Sequence, residues 1–217
     1  MNYHRLIECI EEGEGLTIEF KRLAVSPGKI AREMSAFANT NGGVLILGVD
    51  DDKTIVGVNS EKEEIDYLTI AARECIDPPL RAEFSIITIS GLDVIVAEIR
   101  ESDEKPHFVI DNEGEEKAYI RVGSSSVAAS KETIKVLKYR SGKLPPVRLI
   151  IGEAETRLFR WFETCDRITV KEFAELTNIS ERRASRLLVR LVRAGVLNII
   201  VQERRDYFTL AQDERNR

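Results

Sequence analysis

Residues 180–195 read SERRASRLLVRLVRAG, and this stretch decides the reading of the C-terminal third. Ser180 is a residue type that caps helix N-termini. Ala184, Leu187, Leu188, Leu191 and Val192 recur at three- and four-residue spacing, which is one face of a helix turned to a core. Gly195 stands where a left-handed C-terminal cap belongs. The face opposite the core carries Arg182, Arg183, Arg186, Arg190 and Arg193.

Working outward, residues 153–164 predict a helix with Leu158, Trp161 and Phe162 inward, and 170–177 a second helix. Asn178-Ile179-Ser180 is a tight turn between the second helix and the third. Downstream, 196–201 and 206–210 read as two strands whose connection holds Arg204 and Arg205. Three helices and then a β-hairpin is the pattern of a winged helix-turn-helix domain. From 182 to 205 there are seven arginines and one acidic residue, Glu203. In a helix-turn-helix the second helix of the motif enters the major groove. Arginine suits both bidentate contact to guanine and pairing with phosphate. The seven arginines are therefore candidate nucleic-acid contacts. The plainer alternatives are a solvated basic face or a protein-interaction module.

The whole chain of 217 residues carries a net charge of −5, unevenly spread. Residues 1–150 hold 19 basic and 26 acidic side chains, and residues 151–217 hold 13 and 11. Nucleic-acid contact must then come from local patches rather than from general basicity. Apolar runs such as Val44–Val49 are strand-sized, well short of the roughly 20 residues of a membrane helix. The N-terminus leads into an acidic stretch and not an apolar signal segment. Cys9, Cys75 and Cys165 form no metal or disulfide pattern and read as buried free thiols. Together these features predict a cytoplasmic protein with no membrane partner.

Toward the N-terminus, helices are expected at 3–12, 29–38, 61–75 and 130–140. Strands are expected at 16–21, 44–49, 54–58, 82–89, 92–100, 108–110 and 118–122. Val44–Val49 is apolar on both faces and reads as a central strand, with Thr54–Val58 returning beside it as a hairpin. The order αβαββαββββα predicts an α+β domain with a mixed or antiparallel sheet. Ser141-Gly142-Lys143-Leu144-Pro145-Pro146 is a linker composition. The expected division is 1–140, a linker at 141–147, and the winged-helix domain at 148–217.

Several motifs lie in the first part. They are Glu14-x4-Glu19-Phe20-Lys21, Phe37-x-Asn39-x-Asn41-Gly42-Gly43, Leu47-Gly48-Val49-Asp50-Asp51, Gly57, and Tyr119-Ile120-Arg121-Val122-Gly123-Ser124-Ser125. In this order and spacing they resemble the Schlafen AlbA-type domain over roughly residues 12–140. The resemblance implies nucleic-acid binding and, from its animal members, a metal-dependent endoribonuclease acting on structured RNA such as tRNA. The implied acidic cluster falls on Glu14, Glu19 and either Asp50 or Asp51. Such hard oxygen ligands suit Mg²⁺ or Mn²⁺. Lys21 would lie near as a phosphate partner. Lys21, Arg22, Lys29 and Arg32 form one basic cluster, and Arg121, Lys131, Lys135 and Lys138 another. His4 and His107 read as surface or packing residues. No P-loop pattern is present. Because the animal proteins pair two lobes and this chain has one, a homodimer is expected. The leading functional expectation is a DNA-binding transcriptional regulator, which needs no cofactor. A Mg²⁺- or Mn²⁺-dependent ribonuclease and a protein-interaction adaptor are the alternatives.

Overall fold

The computed structural model describes residues 1–211 except Asn112, Leu144, Pro146 and Arg148. Leu144 and Pro146 of the expected linker, Asn112 between the strands expected at 108–110 and 118–122, and Arg148 and residues 212–217 of the expected second domain lie outside the described residues. The chain divides into two compact units, Met1–Ala128 and Ala129–Arg217.

The first unit contains α1 (Tyr3–Glu12), β1 (Ile18–Lys21), α2 (Pro27–Asn39), β2 (Gly43–Leu47), α3 (Glu61–Glu74), β3 (Ile76–Asp77), β4 (Ala82–Ile89), β5 (Leu92–Ile99), β6 (Phe108–Ile110), β7 (Glu116–Val122) and β8 (Ser125–Ala128). An α+β architecture is present, but the strands form two sheets rather than one. Their orders are β1-β2-β5-β4 and β3-β6-β7-β8. Only the β1–β2 pair is parallel.

β2 is the central strand that its composition predicts. Side chains alternate across a sheet. Leu45 and Leu47 pack with Met34 and Phe37 of α2 and Leu68 of α3. Ile46 turns the other way, toward Leu6 and Ile10 of α1 and Phe20 of β1. With both faces covered, no polar residue is tolerated in the run. Thr54–Val58 does not form the expected hairpin strand: Val49 and Ile55 make an isolated bridge. The reason is that β2 already pairs with β1 on one edge and β5 on the other, so no edge is free.

The turn from α2 into β2 explains two motif glycines. Gly42 has φ 71°, and a Cβ there would stand 2.8 Å from backbone atoms of Ile99 and Glu101. A Cβ on Gly43 would stand 2.4 Å from the Phe37 ring. Of the three cysteines only Cys9 is buried. Burial pushes the thiols of Cys9 and Cys75 above the usual value.

The second unit contains α4 (Lys131–Arg140), α5 (Glu153–Trp161), α6 (Val170–Thr177), α7 (Glu181–Arg193), β9 (Leu197–Ile200) and β10 (Tyr207–Leu210). Leu158, Phe173, Ala184, Leu188, Leu191, Leu197 and Phe208 form its core. Thr169 and Glu172 make a capping box on α6, which ends at Asn178 in the left-handed conformation (φ 53°). β9 and β10 pair antiparallel. Ile168 extends that hairpin through a bridge to Phe208, with N–H···O distances of 2.9 and 2.8 Å.

α4, expected in the first domain, belongs to this second unit. It packs on α7. The Ser185 hydroxyl donates to Glu132. Asp206, at the root of β10, accepts hydrogen bonds from Ser130 and from the Thr133 hydroxyl, the latter at 2.8 Å. Helical periodicity marked α4 correctly but carried no information about its partner.

A piece spanning residues 148–217 is expected to melt at a lower temperature than one spanning 129–217, because Asp206 and Ser185 lose their α4 partners. Circular dichroism melts of both would check this, and equal midpoints would separate α4 from the unit.

Candidate nucleic-acid interface

The motif residues of the first unit converge on a buried ion network. The Arg121 side chain is fully buried. It donates to Glu19 of β1 at 2.9 Å, to Glu33 of α2 at 3.1 Å, to the Ser126 hydroxyl at 3.2 Å and to the Gly15 carbonyl at 2.6 Å. Its guanidinium lies 4.8 Å from the centre of the Phe37 ring. Ser126 also donates to Glu33, and Lys21 pairs with Glu19. Beside this network, Asn39 bonds the backbone at His107, just before β6, and at Tyr119 in β7. Its amide nitrogen donates to the carbonyls of His107 and Tyr119, each at 2.9 Å, and its oxygen accepts the His107 N–H at 2.8 Å. The Thr40 hydroxyl accepts the Arg121 N–H at 2.9 Å. These bonds tie β1 and α2 to the second sheet.

The expected acidic trio does not assemble as a metal site. Both oxygens of Glu19 are engaged by cations, Lys21 and Arg121. Glu14 is exposed and its Oε1 accepts the Phe20 N–H at 3.0 Å. Asp50 pairs with Arg22 at 3.2 Å. Glu19 sits beside Leu45, two residues or about 7 Å of strand before the end of β2, and Asp50 lies three residues beyond that end. Asp51 is exposed in the following turn. Among the described residues no three His, Cys, Asp or Glu side chains are placed to hold a metal ion. Glu14, Glu19 and Asp50 are each engaged within the chain, by a backbone N–H, by two cations and by Arg22 respectively.

The basic clusters are also redistributed. Arg121 is interior, with its side chain fully buried. Lys21 is half-buried and its ammonium also donates to the Phe20 carbonyl at 2.9 Å. Arg32 lies 4.9 Å from the centre of the Tyr119 ring. Lys131, Lys135 and Lys138 stand on α4, in the other unit.

The second unit places its arginines in two groups. Arg182, Arg183 and Arg186, in the N-terminal half of α7, are exposed, as are Arg204 and Arg205 between β9 and β10. Among the described residues none of these five makes an ion pair. Arg190 and Arg193, in the C-terminal half, are held. Arg190 pairs at 2.6 Å with Glu155, whose side chain is 5% exposed. Arg193 donates at 2.5 Å to the Pro145 carbonyl and lies 5.2 Å from the centre of the Tyr139 ring. The spacing of five arginines on one helical face is thus correct, while their availability differs.

Comparison with known proteins places the first unit. The family described as Schlafen, AlbA_2 matches residues 14–130, over half of the chain. The chain belongs to this family. The matched span runs from Glu14 through Ser130, so every motif residue of the ion network lies inside the Schlafen AlbA_2 region, whereas α1 precedes it. Among solved structures, the N-terminal domain of a candidate ATP-dependent DNA helicase, RecG-related, from Nitrosomonas europaea is similar, at 27% identity and TM-score 0.45. That match covers 54% of this chain and 88% of that one. The DIP2311 protein from Corynebacterium diphtheriae is similar at 17% identity and TM-score 0.49, over 88% of this chain and 37% of that one. No helix among the described residues is long and apolar enough to cross a membrane.

Sequence reading missed Glu33 and the role of Asn39. Asn39 falls one residue past the expected helix at 29–38, but it lies within α2 and acts through its side chain. His107, expected at the surface or in packing, is buried, with Nδ1 2.6 Å from the Pro78 carbonyl and Nε2 2.6 Å from the Ser102 hydroxyl.

Replacing Arg121 with Met leaves Glu19 and Glu33 without their shared cation. A loss of about 3–5 kcal/mol is typical of a broken buried pair. Because Lys21 still pairs with Glu19, the lower end is expected, read as a shift in the urea midpoint. An unchanged midpoint would remove the network from the account of stability.

Proposed function

We propose that the second unit of this Schlafen AlbA_2 protein is a winged helix that binds nucleic acid, and that the protein acts as a DNA-binding transcriptional regulator. The observation that carries the reading is the set of five exposed guanidiniums on α7 and the β9–β10 turn, free of ion pairs among the described residues. Two further features support it. Arg182, Arg183 and Arg186 occupy the N-terminal half of α7, the part of a recognition helix that meets base edges. The bridge from Ile168 to Phe208 adds a third extended segment beside the hairpin. Arg204 and Arg205 would reach the flanking backbone.

In this reading Arg190 and Arg193 hold the helix in place, and Arg121 and Lys21 hold the first unit together. The first unit's family resemblance, which implies nucleic-acid contact, points the same way. The two-fold symmetry of duplex operator sites favours a homodimer on DNA. A ribonuclease reading would require Glu19 to leave Arg121 and Lys21, and no observation favours that departure.

Binding to labelled duplex DNA is expected to weaken with salt. The slope of log affinity against log salt is expected to be no steeper than about −4.5 for one protomer, five phosphates at roughly 0.9 each, and about −9 for the homodimer. Arg186→Glu should weaken binding at least about tenfold and flatten the slope by about 0.9 or more. Salt-independent binding, or an Arg186→Glu protein that binds normally, would remove α7 from the interface. tRNA incubated with the protein and Mn²⁺ is expected to stay intact on a denaturing gel. Shortening that disappears in Glu19→Gln would establish the ribonuclease instead.

A further inference from the structure

The second unit holds a groove that shares two arginines, Arg183 and Arg186, with the proposed interface. It runs along the flank of α7 between the N-terminal end of α5 and the turn from α6 into α7, and encloses about 890 Å³. That volume lies in the range of small-molecule sites. Its floor is apolar, from Ala154, Ile179 and Leu187, all partly buried and packed on the core of the unit. Its rim is cationic. Two carboxylates line it, but Glu155 is paired with Arg190 at 2.6 Å and Glu153 with Arg157 at 2.5 Å. Arg183 and Arg186 remain, one helical turn apart, over the apolar floor. The Nε of Arg190 is buried without an acceptor.

We propose that this groove binds a small organic anion with an apolar body, such as an aryl carboxylate or sulfonate, and that such a ligand excludes nucleic acid. The acidic head would meet the Arg183 and Arg186 guanidiniums, which favour planar anionic groups. The apolar body would cover Ile179 and Leu187. A bare inorganic anion would satisfy the rim and leave the floor wet. A cation would meet only carboxylates that already have partners. The exclusion rests on the proposed nucleic-acid reading, because it requires that Arg183 and Arg186 serve both ligands. Each arginine can neutralise one anion at a time, so occupancy of the groove withdraws two of the five free guanidiniums from the helix face.

Anilinonaphthalene sulfonate is a suitable probe, since it pairs a sulfonate with aromatic rings and brightens when shielded from water. Titration of the full chain should show one saturable site. The Arg183→Gln/Arg186→Gln double variant should bind the probe at least about tenfold more weakly, with an unchanged melting curve because both positions are exposed. Ile179→Glu should do the same through the floor. Duplex DNA should displace the probe, and the probe should release DNA. Equal probe binding by wild type and both variants would overturn the site. Displacement of the probe by equimolar inorganic phosphate would overturn the need for an apolar body. Salt-sensitive DNA binding that leaves the probe in place would overturn the exclusion while the nucleic-acid reading stood. Arginine-dependent probe binding without any DNA binding would do the reverse.

Discussion

The buried guanidinium of Arg121 is the constraint on which the first unit depends. It enters from the second sheet and meets a carboxylate of the first sheet, Glu19, and a carboxylate of the helix between them, Glu33. Burying charge is costly, and a buried ion pair contributes little net stability compared with a well-packed apolar cluster. Its effect lies in the alternatives it forbids. Any packing of the two sheets that separates Arg121 from its carboxylates strands charge in the interior. Asn39 adds a second such restriction with neutral groups, because its amide bonds the backbone of both His107 and Tyr119. Charged and amide side chains thus fix how helix α2 seats against both sheets.

That arrangement was only half legible in the sequence. The apolar run from Val44 to Val49 announced a strand covered on both faces, and α1 and α2 lie on opposite sides of it as required. The partition into two sheets was invisible, because it depends on β2 choosing β5 over the residues immediately following it. Glu19 stood out as a motif residue, yet its chemistry depends on Arg121, 102 residues away. A carboxylate within a motif looks the same in one dimension whether it awaits a metal or already faces a cation. The arginine stripe shows the same limit. Helical spacing placed all five on one face, but the pairing of Arg190 with Glu155 spans 35 residues and could not be read from periodicity.

The two units use the same side chain in opposite ways. In the Schlafen AlbA_2 region arginine is an internal cross-link, desolvated and satisfied on nearly every side. On α7 it is graded along one helix, from restrained near the C-terminal end to free near the N-terminal end. Arg190 is held against α5 and Arg193 against Tyr139 in the C-terminal half of the helix, while the guanidiniums of its N-terminal half stay exposed.

The placement of α4 alters how the Gly- and Pro-bearing stretch after it is understood. Since α4 and α5 belong to one unit, the stretch that joins them connects two elements of that unit. Lengthening a loop costs only about 0.6 kcal/mol per doubling. Additional sequence can therefore be accommodated at this point without parting the elements that carry the arginines. It is the natural position in the chain for a grafted reporter or for a module gained by gene fusion.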